Sequence, residues 1–327
     1  MFGLTDKNIL WTYVPPEIDW IHNKNFYLID LYCLCLSVKL FKTKFKYKSI
    51  KLYSNSEIIE FFKDTNYFDE FIDITHPYDI VRNQNSGFSH KNIMFKVFTA
   101  CEQREPFVHI DHDFFINNPT LFDSIDKDII FSLIERVCAP DGNQKINSYS
   151  FYIKVLIDLC RNIDDSIFDN FNPMQAYNSS IFGCNGTQLV ESFTKTKEFL
   201  LKYSEILNQI KDLPIVLEQF IQINYLLENH TYNDFYVFGD LIRGGNTAMP
   251  DVDMEIKSNH NYSSLDITTY NKLFEYFNCA DIIHLSGYRW HPYYRILLVN
   301  LLKKIDANME EKLRLTYGEY DWNTHSF

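Results

Sequence analysis

Two aspartates, separated by a single histidine, interrupt the apolar stretch PFVHIDHDFFINNP at residues 106–119. Two buried carboxylates are costly unless a cation or hydrogen-bond donors compensate them. A hard divalent ion is the natural partner of such oxygen ligands. Asp111 and Asp113 are therefore predicted to bind a metal ion. The alternative is that both lie in solvent past the end of a strand and cap the next turn.

Spacing alone does not identify this pair as a metal site, because the chain contains the Asp-x-Asp pattern three times. The other two occurrences, at residues 126–128 and 251–253, lie in polar stretches that a solvated loop explains. Only Asp111 and Asp113 follow a predicted helix within an apolar run. If residues 106–116 form one strand, His109 shares a face with both carboxylates. We expect His109 to be structural.

A histidine and an arginine near the C-terminal end could complete such a site. His284 follows a short apolar strand in DIIHLSGYRWHP and precedes Gly287. Arg289 comes next, and an arginine beside a metal can bind phosphate in a bidentate manner. Taken alone, His284 is better explained as a hydrogen-bonded structural histidine, whereas beside Asp111 and Asp113 a metal-binding role is favoured.

Two further polar pairs stand in apolar surroundings. Asn178 and Ser179 occur in AYNSSIFGCNG, and an amide that both donates and accepts suits a hydroxyl-rich ligand. Glu218 and Gln219 interrupt the apolar helix PIVLEQFIQ. An ordinary strand end and a polar helix face are the alternative interpretations.

Composition limits the classes of function. The 327 residues, 46% of them hydrophobic, suit one large α/β domain. A formal net charge of −12 argues against a nucleic-acid-binding surface. Seven cysteines without a regular framework predict reduced thiols in the cytoplasm. No apolar run reaches the roughly 18 residues of a membrane span, although contact of the terminal helix with a membrane surface stays open.

Strands and helices alternate through the first 116 residues. The predicted strands are NILWTYV, SIKLYSN, FIDIT and PFVHIDHDFFI, and Ser56 is predicted to cap the second helix. This alternation predicts an α/β fold with a Rossmann-type, mostly parallel central sheet, flanking helices and an elaborated C-terminal half. One domain is predicted, with a nucleotide-binding half (1–118), a donor-sugar and acceptor half (119–292) and a terminal helix and tail (293–327). Such sheets bind ligands at the carboxyl ends of their strands.

Together, these segments resemble a GT-A-fold glycosyltransferase that uses a nucleotide-sugar donor. The matching landmarks, in order, are WTYVPPE, the DxD motif in IDHD, YNSSIFG, and LEQF followed by HLSG. They are most similar to the retaining, glycogenin-like family eight, over roughly residues 9 to 292. The chain departs from that pattern at Ser180, where glycine is usual, at Glu218, where aspartate is usual, and at Arg289, one residue before the usual lysine.

The resemblance implies a metal-dependent hexosyl- or N-acetylhexosaminyltransferase. The donor would be a UDP-sugar, and the acceptor a hydroxyl of a glycan, a lipid-linked molecule or a protein. Asp113 and His284 would bind Mn²⁺ or Mg²⁺, and Asp111 would bind the metal or the donor ribose.

The resemblance also implies the remaining contacts. The base would be held by Trp11, Thr12 and Tyr13, through stacking and backbone contact. Sugar hydroxyls would meet Asn178 and Ser179 together with Glu218 and Gln219, and the phosphates would meet Arg289 with Lys91 or Lys96.

Alternatives remain open at this level. A retaining enzyme needs no dedicated protein base, whereas an inverting one needs a carboxylate, for which Glu218, Asp240 and Asp251 are candidates. A metal-dependent phosphohydrolase, with Asp111 as nucleophile, is the second enzyme hypothesis. The third is a non-catalytic module that binds nucleotide sugars or carbohydrates.

Overall fold

The computed structural model describes residues 2–15, 24–74, 91–136, 175–203, 213–238, 271, 274–275, 277–285 and 292–318. The chain divides into two compact units that are interleaved along the sequence. Unit 1 comprises Met1–Val14, Lys48–Ile110 and Ile125–Gly239, and unit 2 comprises Pro15–Tyr47, Asp111–Ser124 and Asp240–Phe327. These limits differ from the boundaries at 118 and 292, which stay predictions.

Within the described ranges, the strands are β1 (Asn8–Tyr13), β2 (Ser49–Ser54), β3 (Glu70–Asp73), β4 (Phe107–Ile110), β5 (Phe114–Ile116), β6 (Ile129–Arg136), β7 (Gln175–Cys184), β8 (Phe235–Val237) and β9 (Ile282–His284). The helices are α1 (Lys24–Lys44), α2 (Ser56–Phe62), α3 (Lys91–Cys101), α4 (Gln188–Lys202), α5 (Leu213–Leu227), α6 (Pro292–Ile305) and α7 (Ala307–Tyr317).

Unit 1 is built on a seven-stranded sheet in the order β3-β2-β1-β4-β7-β6-β8. The four strands β1 to β4 are parallel, and β8 is parallel to β6. Only β7 runs antiparallel to its neighbours in this sheet, β4 and β6. The prediction of a mixed α/β fold with a mostly parallel central sheet and flanking helices is therefore confirmed.

Burial explains why these segments form a central sheet. Strand β4 is buried along its whole length and β1 nearly so, as expected for strands covered on both faces. Helix α3 packs against β1, α4 and α5, and α5 also packs against β7. The core beneath these helices is rich in aromatic rings, including Phe95, Phe131, Phe182 and Phe193. Its apolar side chains account for much of the stability of unit 1.

Unit 2 contains a small antiparallel sheet of β5 and β9, in which Phe114 pairs with His284 and Ile116 with Ile282. Helix α1 packs against β5, α6 and α7. Its Tyr32 hydroxyl donates to Glu310 Oε1 at 3.3 Å, and Lys39 Nζ donates to Asp306 Oδ2 at 2.7 Å. In the described part of the chain, every helix is too short or too polar to cross a membrane.

The structure corrects three local predictions. The strand predicted over residues 106–116 is interrupted by a turn at residues 111–113, and its two halves join different sheets. The second helix is capped by Asn55, whose Oδ1 accepts from the Ile58 amide at 3.1 Å, and Ser56 is its first residue. The single terminal helix is two helices, because Asp306 accepts from the Met309 amide at 3.1 Å and starts a new one.

Asp306 combines a helix cap with an ion pair, and the two contributions are separable. Asp306→Asn keeps an oxygen for the Met309 amide and loses only the charge facing Lys39, so we expect a cost of at most about 1 kcal/mol. Asp306→Ala loses both and should cost about 1 kcal/mol more. Urea denaturation of the two variants measures the difference, and equal stabilities would contradict the capping role.

Candidate functional site

Asp113 and His284, about 170 residues apart in the chain, lie side by side in unit 2. The distance from Asp113 Oδ1 to His284 Nε2 is 3.8 Å, and the two side chains are 6% and 17% exposed. The structure thus brings together the two residues that were predicted to bind one metal ion.

Backbone pairing fixes the positions of both residues. Asp113 directly precedes β5, and His284 is the last residue of β9. The Leu285 amide donates to the Asp113 carbonyl at 3.1 Å, which extends the pairing beyond the two strands. The Phe114 ring also packs against the His284 imidazole, with centroids 5.7 Å apart. The antiparallel pairing of β5 with β9 therefore sets the positions of both residues.

Asp111 is the first residue after β4, and its carbonyl accepts from the Phe114 amide at 3.1 Å across the turn. A turn does not follow the two-residue alternation of a strand. The prediction that His109, Asp111 and Asp113 share one strand face is consequently wrong. Asp113 is almost completely buried, whereas Asp111 is partly exposed.

The geometry of the pair fits a small divalent cation. Suppose that an oxygen and a nitrogen each lie about 2.1 Å from one ion. The two atoms are about 3 Å apart when they form a right angle at the ion, and about 4 Å apart when they lie on opposite sides of it. The observed 3.8 Å falls within that range. Among the described residues, no group of three or more His, Cys, Asp or Glu could hold a metal ion. Two ligands do not fill the coordination shell of such an ion, so further oxygens, from Asp111, water or a bound ligand, would complete it.

His112, between the two aspartates, lies close to a carboxylate that sequence reasoning missed. Its Nε2 lies 3.2 Å from Oδ1 of Asp30, a buried residue of α1. The signal that could have found Asp30 is its position as a lone carboxylate in the apolar run NFYLIDLYCLCL. A carboxylate in such a run needs a partner once the helix is buried.

In unit 1, the structure joins two other predicted site residues. Lys96 Nζ of α3 donates to both the carbonyl and the hydroxyl oxygen of Ser179 in β7, at 3.3 Å each. Gln219 of α5 is buried, and its Oε1 accepts no hydrogen bond from the residues that the structure describes. A buried amide oxygen without a partner is suited to accept from a ligand hydroxyl.

The strand-end residues proposed to hold a base lie largely in the core of unit 1. Trp11 is fully buried, and its ring meets Phe68 edge-on with centroids 6.4 Å apart. Tyr13 is also buried. Neither ring offers a free face for stacking, so the predicted base stacking on Trp11 conflicts with its core position. Main-chain contacts at this strand end stay a prediction.

Thr12 and His109 belong to a buried hydrogen-bond chain. The Thr12 hydroxyl donates to Thr99 Oγ1 at 2.9 Å, and His109 Nε2 lies 3.0 Å from Thr12 Oγ1. His109 is fully buried, and its ring stacks on Phe182 at a centroid distance of 4.8 Å. These contacts agree with a structural role for His109.

The remaining predicted site residues are not described in full. Lys91, Asn178 and Glu218 lie in α3, β7 and α5, but their side chains are outside the description. The other three, Asp240, Asp251 and Arg289, lie outside the described residues altogether. Their predicted roles stay predictions.

Comparison with protein-family models and with curated proteins finds no match. Solved structures of glycosyltransferases are similar to this chain at low identity. Mouse xyloside xylosyltransferase 1 in its apo form is 13% identical over 85% of this chain and 97% of that chain, with a TM-score of 0.39. An active-site mutant of LgtC is 12% identical over 85% of this chain and 86% of that chain, with a TM-score of 0.42. The glycosyltransferase GlyE of Streptococcus pneumoniae is 10% identical over 92% of this chain and 64% of that chain, with a TM-score of 0.39.

Proposed function

We propose that the protein is a metal-dependent glycosyltransferase that moves a sugar from a nucleotide-sugar donor to a hydroxyl acceptor. The observation that carries the proposal is the 3.8 Å approach of Asp113 and His284. The resemblance of the sequence to glycogenin-like transferases had assigned one metal ion to these two distant residues.

Asp113 and His284 would hold the ion through one carboxylate oxygen and one imidazole nitrogen. A mixed oxygen and nitrogen ligand set suits Mn²⁺ well, and Mg²⁺ less well because it prefers oxygen. The bound ion would neutralise charge on the donor diphosphate as the nucleotide leaves. Because Asp113 is almost completely buried, its carboxylate has little freedom to turn away from such an ion.

The other residues have roles that rest on the resemblance and on their chemistry. Asp111 would bind the ion or the ribose of the donor. Gln219 would accept from a sugar hydroxyl with its unpaired Oε1. Lys96 carries a positive charge beside Ser179 and would face the phosphates.

The substrates proposed here are a UDP-hexose or UDP-N-acetylhexosamine and a glycan, lipid-linked or protein acceptor. Retention of configuration, Mn²⁺ as the preferred ion and a cytoplasmic location are parts of the same proposal.

Release of UDP tests the proposal directly. Purified protein is incubated with a panel of UDP-sugars in Mn²⁺, in Mg²⁺ and in EDTA. We expect turnover of at least one donor in Mn²⁺ and its loss, by more than about 100-fold, in EDTA, because removing the ion leaves the leaving diphosphate uncompensated.

Two results would contradict the proposal. Phosphate release from simple monoesters would indicate the phosphohydrolase alternative. Tight donor binding without turnover on any acceptor, water included, would indicate a binding module.

A further inference from the structure

Three polar residues of α1 recur at intervals of seven and contact the segment that carries Asp113. They are Asp30, Ser37 and Lys44. Two helical turns cover about seven residues, so the three lie along one stripe of the helix. We infer that this stripe is a platform that sets the geometry of Asp113 and His284, with Asp30, Ser37 and Lys44 as positioning residues. The inference rests on the proposed function of that pair.

The three contacts follow the order of the segment. Asp30 Oδ1 lies 3.2 Å from His112 Nε2, beside Asp113. The hydroxyl of Ser37, a buried residue, donates to the Phe114 carbonyl at 2.7 Å. Lys44 Nζ donates to Asn117 Oδ1 at 2.8 Å. Helix and segment are thus joined before, within and after β5.

Asn117 carries the same constraint to the strand of His284. Its side-chain amide donates to the carbonyls of Phe277 and Ala280, at 2.7 and 3.0 Å. Its backbone amide donates to the Asp281 carbonyl at 2.8 Å. Since Asp281 directly precedes β9, Asn117 fixes where the strand that ends at His284 begins.

These contacts are more specific than ordinary helix packing requires. Asp30 and Ser37 are buried polar groups, which cost stability unless they are paired. Partial burial also lowers the pKa of Lys44, because a charged ammonium loses hydration there. An apolar stripe would hold β5 against α1 equally well but would not define its position along the helix. Polar contacts at three points do define that position.

Two other residues of α1, which do not belong to this stripe, serve as controls. Thr43 Oγ1 donates to the Leu40 carbonyl within the helix itself, and Lys39 pairs with Asp306 of α7. Thr43→Ala removes a hydroxyl and Lys39→Met removes an ion pair, and both of these contacts lie outside the segment 112–117.

The test uses the full chain and two readouts. Amide hydrogen exchange of the metal-free protein is measured at residues 113–116 and 282–285, and Mn²⁺ affinity is measured by electron paramagnetic resonance. For Ser37→Ala, and for Ser37→Ala combined with Lys44→Met, we expect exchange at least tenfold faster in both segments. We also expect Mn²⁺ binding roughly tenfold weaker, as when outer-shell partners of a metal site are lost. Asp30→Asn keeps the shape of the side chain. It should therefore lose less Mn²⁺ affinity and less exchange protection than Asp30→Ala.

The outcomes separate the two proposals. The platform is supported if the stripe variants exchange faster in both segments and bind Mn²⁺ more weakly. Thr43→Ala and Lys39→Met should then show neither change. Unchanged exchange and unchanged Mn²⁺ affinity in a folded Ser37→Ala variant overturns it. If the wild-type protein binds no Mn²⁺, the proposed function fails, and hydrogen exchange alone then decides whether α1 positions the pair.

Discussion

Replacing His284 with alanine should reduce Mn²⁺-dependent transfer by more than about 100-fold, more than loss of an outer-shell partner costs at typical metal sites. In the proposed site, His284 would supply the imidazole ligand beside the Asp113 carboxylate, so its loss would leave only carboxylate ligands from the protein. The rate as a function of Mn²⁺ concentration measures the effect. We expect the Mn²⁺ concentration at half-maximal rate to rise as well as the maximal rate to fall.

Asp113→Asn provides an isosteric companion to that variant. An amide oxygen is a weaker ligand than a carboxylate for a hard cation, so Mn²⁺ binding should weaken strongly here too. The free energy of unfolding without metal should stay within about 1 kcal/mol of wild type, because burying an amide is less costly than burying a charge. A loss of metal binding without a loss of stability would separate a ligand from a structural residue.

His230→Ala serves as the control for the histidine substitution. This histidine lies in unit 1 and outside the β5–β9 sheet. Its removal should leave the Mn²⁺ dependence as in the wild type. If His284→Ala retains wild-type Mn²⁺ affinity and rate, the metal-site assignment is wrong.

Gly183→Ala should destabilise the protein by about 3 kcal/mol or more, at the upper end of overpacking effects. Gly183 lies in β7 directly opposite Val108 of β4. A Cβ at this position would approach the Phe107 carbonyl oxygen to 2.5 Å and the Val108 Cα to 3.0 Å. Both atoms belong to the main chain of a buried strand, so relief requires β4 or β7 to move. Urea denaturation followed by circular dichroism measures the loss.

Two other glycines show whether the effect comes from the collision. Gly3→Ala places a methyl group more than 4 Å from every atom of the described residues, its chain neighbours aside. For Gly186→Ala, the atoms nearest to the new Cβ belong to the side chain of Gln188, with Oε1 at 2.8 Å, and this side chain can rotate away. Both variants should stay within about 1 kcal/mol of wild type. A Gly183→Ala variant as stable as these two would show that the sheet accommodates the methyl group.

Local sequence patterns predicted the central strands and helices well because burial on both faces leaves a clear apolar signature. The segments NILWTY, SIKLYS and KNIMFKVFTAC form β1, β2 and α3 as predicted. The turn at residues 111–113 was missed, since apolar residues on both sides make PFVHIDHDFFI resemble one strand. Only the distant partner β9, which draws Phe114 into a second sheet, explains the break.

In the candidate site, too, some features could be predicted from the sequence and others could not. Asp113 and His284 could be paired in advance because a resemblance supplied their long-range relation. Trp11 shows the opposite case, since the resemblance implied base stacking there but does not reveal that its ring is fully buried. Asn117 was overlooked because its contacts join segments far apart in the chain, and spacing within one segment carries no signal of them. Asp30 does leave a signal, a lone carboxylate in an apolar run, but that signal does not identify its distant partner His112.

The pairing of β5 with β9 also determines when the site can form. Its two halves enclose a chain segment of about 165 residues, so its closure carries a large loop-entropy cost and depends on very non-local contacts. During synthesis, the Asp113 carboxylate emerges long before His284 exists. High-affinity Mn²⁺ binding should therefore appear late in refolding, and it would report complete chain closure more faithfully than helix content does.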